Sequence, residues 1–77
     1  MSTATGQSRR QSALREQESR IIEAASAEFR RSGIKNADIE RIARDAGVSR
    51  ATVYRRFANR EELLAEVVAR LRLRLLQ

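Results

Sequence analysis

The sequence predicts an all-α fold: a three-helix bundle with a helix-turn-helix inside it and a fourth, connecting helix. Three observations lead there. Apolar residues recur at spacings of three, four and seven, the period of an amphipathic helix. Residues that stop or cap helices (Gly33, Asp38, Gly47, Ser49 and Asn59) fall between those stretches. The 77 residues suffice for one small domain with one modest core.

Residues 1–12 are polar, with Met1 as the only sizeable apolar side chain, and are expected to form a flexible basic tail. Residues 13–77 then form the domain. Its first helix is expected from Ala13 or Glu16 to Arg31, with Leu14, Ile21, Ile22, Ala25 and Phe29 on one stripe. Phe29 at that spacing is a packing residue. Gly33 stops the helix, and Ile34 is expected to fold back as the apolar partner of that stop.

Asp38 is placed to cap a second helix over Ile39 to Ala46, where a carboxylate meets free N–H groups and the positive dipole end. Ile39, Ile42 and Ala43 line its inner face. Gly47 suits a left-handed stop, Val48 points inward, and Ser49 caps a third helix over Arg50 to Phe57. Two short helices across a tight turn make a helix-turn-helix in a homeodomain-like bundle, the unit that sets its second helix in the DNA major groove. Asn59 and Glu62 form a capping-box pattern that opens the fourth helix near Arg60.

That last helix carries two apolar stripes. Leu64, Val67, Val68, Leu71 and Leu75 are expected to pack on the first helix and the motif. Ala65, Ala69, Leu73 and Leu76 form an offset second stripe that three helices cannot also cover. An uncovered leucine face points to a missing neighbour: a further domain of a longer chain, or another subunit.

Charge is concentrated where the motif is. The net charge is +6, and residues 49–60 hold Arg50, Arg55, Arg56 and Arg60 with no acid. Residues 1–15 hold Arg9, Arg10 and Arg15, again without an acid, while the rest of the chain sums to −1. A polyanion-binding face requires that pattern. The plainer alternative is a basic surface that keeps the domain soluble.

Enzymatic function is poorly supported. Without histidine or cysteine there is no imidazole acid–base chemistry, disulfide staple or zinc site, so no cofactor is expected. The scattered glycines make no phosphate loop. The start of the chain lacks the apolar core of a signal peptide, and no run of 18 apolar residues could cross a membrane. The absence of cysteine is compatible with a reducing cytoplasm.

The residues Arg20-Ile21-Ile22-Glu23-Ala24-Ala25, Phe29, Gly33, Ile42-Ala43, Ala46-Gly47-Val48-Ser49, Thr52-Val53-Tyr54, Phe57 and Arg60-Glu61-Glu62-Leu63-Leu64 resemble the tetracycline-repressor-like (TetR) transcriptional regulators. The resemblance spans residues 20 to about 68. It implies a three-helix DNA-binding head whose fourth helix leads to an all-helical ligand-binding and dimerisation domain. It further implies a homodimer on a palindromic double-stranded operator, a small-molecule effector held in that further domain, and a cytoplasmic regulator, expected to be a repressor.

The resemblance also assigns residues. Arg50 and Ala51 sit at base-contacting positions, Thr52 and Tyr54 at positions touching phosphates or thymine methyls, and Arg56 and Arg60 at phosphate positions. Chemistry agrees: arginine pairs bidentately with guanine O6 and N7, worth about 1–3 kcal/mol of discrimination to Arg50 or Arg55. Ser49, at the helix start, suits a phosphate, although its cap alone would justify it. Tyr54 is either a DNA contact or a core-edge aromatic, and Arg55 either a base contact or simply solvated. Arg9 and Arg10 are either an arm reaching phosphates or the minor groove, or part of an ordinary leader.

The second helix departs from the family pattern. Ala37, Asp38 and Glu40 stand where hydroxyl and basic residues are common, and two carboxylates repel a close phosphate. That helix either stands off the DNA or contacts it through backbone N–H groups alone. Function could also differ in class: a helical protein-interaction module would use the leucine stripe of the last helix to hold a partner.

Overall fold

The structure, a computed structural model, describes residues 2–76, and side chains from residue 9 onward. Four helices follow one another, α1 (Ser2–Ser32), α2 (Ile39–Ala46), α3 (Arg50–Arg56) and α4 (Arg60–Leu76). The long α1 packs against both α2 and α4, while α3 packs on α2.

Helix α1 starts well before the expected Ala13 or Glu16. Residues 2–12, expected as a tail, continue the helix, and the side chains of residues 9–13 are all exposed. The physical reason is that nucleating a helix is costly whereas extending one already docked is cheap, so the extension needs no buried stripe to announce it. Met1 and the side chains of residues 1–8 lie outside the described residues.

One core unites the helices. Ile21, Ile22, Ala24, Ala25 and Phe29 of α1 meet Ile39, Ile42, Ala43 and Ala46 of α2, Val53 of α3, then Phe57, Leu63 and Val67. Leu14, expected in that stripe, is only partly buried and stands outside the core cluster. Val48 and Leu64 pack against the core from its edge.

The two glycine stops are of different kinds. At Gly47 (φ 73°) the glycine N–H donates to the Arg44 carbonyl at 3.1 Å and the Val48 N–H to the Ala43 carbonyl at 2.9 Å. This is a Schellman ending, which turns Val48 back on the helix. At Gly33 (φ 80°) a single bond runs from its N–H to the Phe29 carbonyl at 2.9 Å, the simpler left-handed ending. Ile34 therefore does not fold back as expected and is 50% exposed.

Helix α4 buries only the N-terminal part of the expected stripe, Val67 with Leu64 at the core's edge, and adds Leu63, which was not expected there. Leu63 and Val67 face the core, and Arg70, one turn on, lies half-buried with Nη1 donating to the Ser19 hydroxyl at 3.1 Å. Val68, Leu71 and Leu75 are exposed along with Leu73 and Leu76. The second half of α4 is rich in leucine, and with apolar residues on several faces the wheel alone does not say which face docks. At its start, the Glu62 N–H donates to Asn59 Oδ1 at 2.8 Å, and the Glu62 carboxylate accepts from the Ala58 N–H, one residue before the expected Asn59.

A buried carboxylate organises the join between α1 and α2. Glu28 is 1% exposed, and its Oε2 accepts from the Asp38 N–H at 2.9 Å and the Ser32 hydroxyl at 3.0 Å. Its Oε1 faces the guanidiniums of Arg31 at 3.7 Å and Arg41 at 3.9 Å. The Asp38 N–H lowers the Glu28 pKa below the ordinary carboxylate value; burial opposes this, and Ser32, Arg31 and Arg41 add to the lowering.

A carboxylate whose pKa is lower folded than unfolded stabilises the fold above the unfolded value, and that gain is lost as pH falls through the folded one. Glu28→Gln should therefore melt at a lower temperature than wild type near pH 7, and the gap should narrow as pH falls below the ordinary carboxylate value and through the lowered folded one. Thermal melts followed by circular dichroism across that range check both arms.

Candidate nucleic-acid interface

Helix α3 has only seven residues, so its two caps and two anchors decide where everything else on it points. The Ser49 hydroxyl accepts from the Thr52 N–H at 3.1 Å, and the two hydroxyls bond each other at 2.9 Å. At the far end the Phe57 N–H donates to the Val53 carbonyl at 2.9 Å. Val53 and Phe57 are buried, four residues apart on the inner face. Helical geometry then turns Arg50, Ala51, Tyr54 and Arg55 outward, and all four are exposed. Thr52 and Arg56 flank the face, half-buried.

The four arginines of the acid-free stretch are not equivalent. Arg55 has no hydrogen-bond or ion-pair partner among the described residues. Arg50 lies over the Tyr54 ring, 5.6 Å from its centroid, and its Nη1 is 3.3 Å from Glu40 Oε1. Arg56 turns toward α1, where its Nε donates to Gln17 Oε1 at 3.3 Å. Arg60 reaches under the α1–α2 loop and donates from Nη1 to the Lys35 carbonyl at 2.7 Å, with the Ile34 carbonyl at 3.5 Å. Arg56 and Arg60 thus tie elements together as well as adding charge. Each retains N–H groups beyond those used, because a guanidinium carries five.

Tyr54 is 42% exposed, at the centre of the outward face and beside Arg50. Arg9 and Arg10 are exposed on the N-terminal stretch of α1.

The acidic start of α2 is occupied locally. Asp38 Oδ1 accepts from the Glu40 N–H at 2.9 Å, the expected cap, and Glu40 meets Arg50. Ala37 is buried. Sequence reasoning missed three groups here: Glu28, the Arg60 tie to the loop, and the Glu40–Arg50 pair. Glu40 and Arg50 stand ten residues apart across a turn, a separation with no periodic signature; Glu28 carried a faint one, a carboxylate between buried Ala25 and Phe29.

Residues 21–67 match the model of the bacterial regulatory proteins of the tetR family. The chain is 47% identical over 49 residues to the HTH-type transcriptional repressor SCO4008 of Streptomyces coelicolor, covering 64% of this chain and 26% of that protein. It is 42% identical over 55 residues to the uncharacterized HTH-type transcriptional regulator TtgW of Pseudomonas putida, covering 71% of this chain and 41% of that one. The matched stretch thus spans less than half the length of either relative. No solved structure matches.

The cap at Ser49 should be energetically visible without DNA. Ser49→Ala is expected to cost about 1 kcal/mol of unfolding free energy, seen as a lower urea midpoint at unchanged slope.

Proposed function

Because the chain belongs to the tetR family of bacterial regulatory proteins, we propose that it is the sequence-specific, duplex-binding head of a ligand-responsive transcriptional repressor. One observation carries this reading: the outward face of α3 consists of Arg50, Ala51, Tyr54 and Arg55, in a stretch with no acidic residue. Such a face sets guanidiniums toward base edges while Val53 and Phe57 hold the helix from behind.

In this proposal Arg50, Ala51 and Arg55 contact bases. The arginines pair with guanine O6 and N7, and the Ala51 methyl meets a thymine methyl. Ser49, Thr52 and Tyr54 hold phosphates with hydroxyls and the α3 N-terminal N–H groups. Arg56 and Arg60 add phosphate contacts through the N–H groups that their ties to Gln17 and the loop leave spare. Arg9 and Arg10 extend the basic surface along α1. Helix α2 approaches the backbone through N–H groups, since its carboxylates are engaged by Glu40 N–H and Arg50.

Two heads joined through a dimeric ligand-binding domain would sit about 34–36 Å apart to reach successive major grooves, so a shift of a few ångströms at α4 on effector binding would release the operator. SCO4008, a repressor by name, supports repression over activation.

A second reading has an observation of its own. Leu71, Leu73, Leu75 and Leu76 are exposed on α4, as a protein-interaction module would need. Salt separates the two. With about 5–6 phosphate contacts per head, log affinity for duplex should fall against log salt with a slope near −5. A flat slope favours the protein partner.

Selection of random duplexes by the chain fused to a dimeriser is expected to return palindromic sites with half-sites about one helical turn apart. On the best site, Arg50→Ala should relax preference at one base pair by about 1–3 kcal/mol, whereas Arg60→Ala should weaken all duplexes alike. Equal, sequence-independent losses from both would remove Arg50 from base reading.

A further inference from the structure

A carboxylate on a DNA-facing surface needs an explanation, because it repels every phosphate it approaches. Glu40 lies in the first turn of α2 and lines a shallow recess with Asp38, Arg50, Tyr54 and Arg60. Each of its charged neighbours there is committed. The Asp38 carboxylate accepts from the Glu40 N–H, and Arg60 donates to the Lys35 carbonyl. Glu40 Oε1 in turn takes Arg50 Nη1 at 3.3 Å, while the same guanidinium rests over Tyr54. The side chains of Arg50 and Glu40 are 60% and 62% exposed, so the pair adds little to folding stability.

Its consequence lies in how Arg50 can be used. One N–H of the guanidinium is engaged by Glu40, and four remain, enough for a bidentate contact to guanine O6 and N7. Such a contact leaves the pair intact, with Glu40 and Tyr54 fixing the plane of the guanidinium. A phosphate can accept the same pair of N–H groups, but only where it lies in the plane that Glu40 and Tyr54 fix. To follow a phosphate out of that plane, Arg50 must leave Glu40, and the freed carboxylate then faces a polyanion. The penalty therefore falls on the wrong sequences and spares the right one, which is how repulsion creates specificity.

We propose that Glu40 is a specificity-determining residue: its carboxylate holds Arg50 over Tyr54 for a guanine and withholds it from the phosphates of unselected DNA. The proposal rests on the reading of Arg50 as a base contact.

The test is a double-mutant cycle on the dimerised chain, with three duplexes followed by fluorescence anisotropy over a range of salt. The duplexes are the best selected site, that site changed at the one base pair Arg50 reads, and a random-sequence duplex. Glu40→Gln is expected to tighten the random duplex about fivefold, steepen its salt slope by about 0.9, and cut discrimination at that base pair about tenfold. Glu40→Asp, which keeps the charge, should retain weak binding to the random duplex. In an Arg50→Ala background Glu40→Gln should no longer alter discrimination.

If Arg50→Ala abolishes the preference and Glu40→Gln leaves it untouched, the role of Glu40 is overturned and base reading by Arg50 stands. If Arg50→Ala leaves the preference untouched, base reading falls and this inference with it. A gain on random duplex as large in Glu40→Asp as in Glu40→Gln overturns charge as the cause. Because the pair is exposed, melting temperatures should match wild type, and a large fall in the Gln variant alone would mark the pair as structural and overturn the proposal.

Discussion

Everything this domain presents to a partner depends on anchoring a helix too short to stand alone. Isolated helices below about 12–15 residues are marginal in water, and α3 has seven. Its order comes from outside itself. The Schellman ending at Gly47 sets the angle of the chain, Ser49 satisfies an N-terminal donor, and Val53 and Phe57 are driven into the core. Burying two such side chains contributes about 1.5–3 kcal/mol each, more than either cap. The hydrophobic anchors thus set the depth of α3, and the caps set its start and direction.

The same economy of parts appears in the charges. A basic domain of net charge +6 must hold its arginines apart while keeping their donors usable. Here several guanidiniums take protein acceptors: Arg56 on Gln17, Arg60 on loop carbonyls, and Arg70 on Ser19. These contacts link α3 and α4 back to α1 and its loop. The basic surface and the scaffold that orients it therefore share residues, and the outward face of α3 is left with Arg50 and Arg55. Glu28 plays the opposite part, an anion inside the domain that ties α1 to the Asp38 N–H at the start of α2.

The legible features of the chain were those governed by local chemistry. Gly47, Asp38, Ser49 and the Asn59–Glu62 pattern mark ends of helices because caps act within three or four residues, and the structure uses all of them there. Most of the inner faces of α1 and α2 followed from period, Leu14 and the buried Glu28 excepted. The burial of Leu63 with Val67, and the exposure of Val68, Leu71 and Leu75, did not, since a helix rich in leucine offers several faces and its neighbour selects one. The extent of α1 was equally hidden, because a solvated extension leaves no apolar pattern.

What the sequence by itself determined is the order of helices, their stops, the helix-turn-helix and the acid-free arginine stretch. Each follows from interactions within about one turn of chain. Tertiary structure alone decided which guanidiniums are turned to protein acceptors and which face outward. It also seated Glu28 against Asp38 and brought Glu40 to Arg50. Those contacts join residues ten positions apart, and Arg60 reaches twenty-five back to Lys35. The distance between such groups is fixed by the packing of whole helices, a quantity that no local spacing carries.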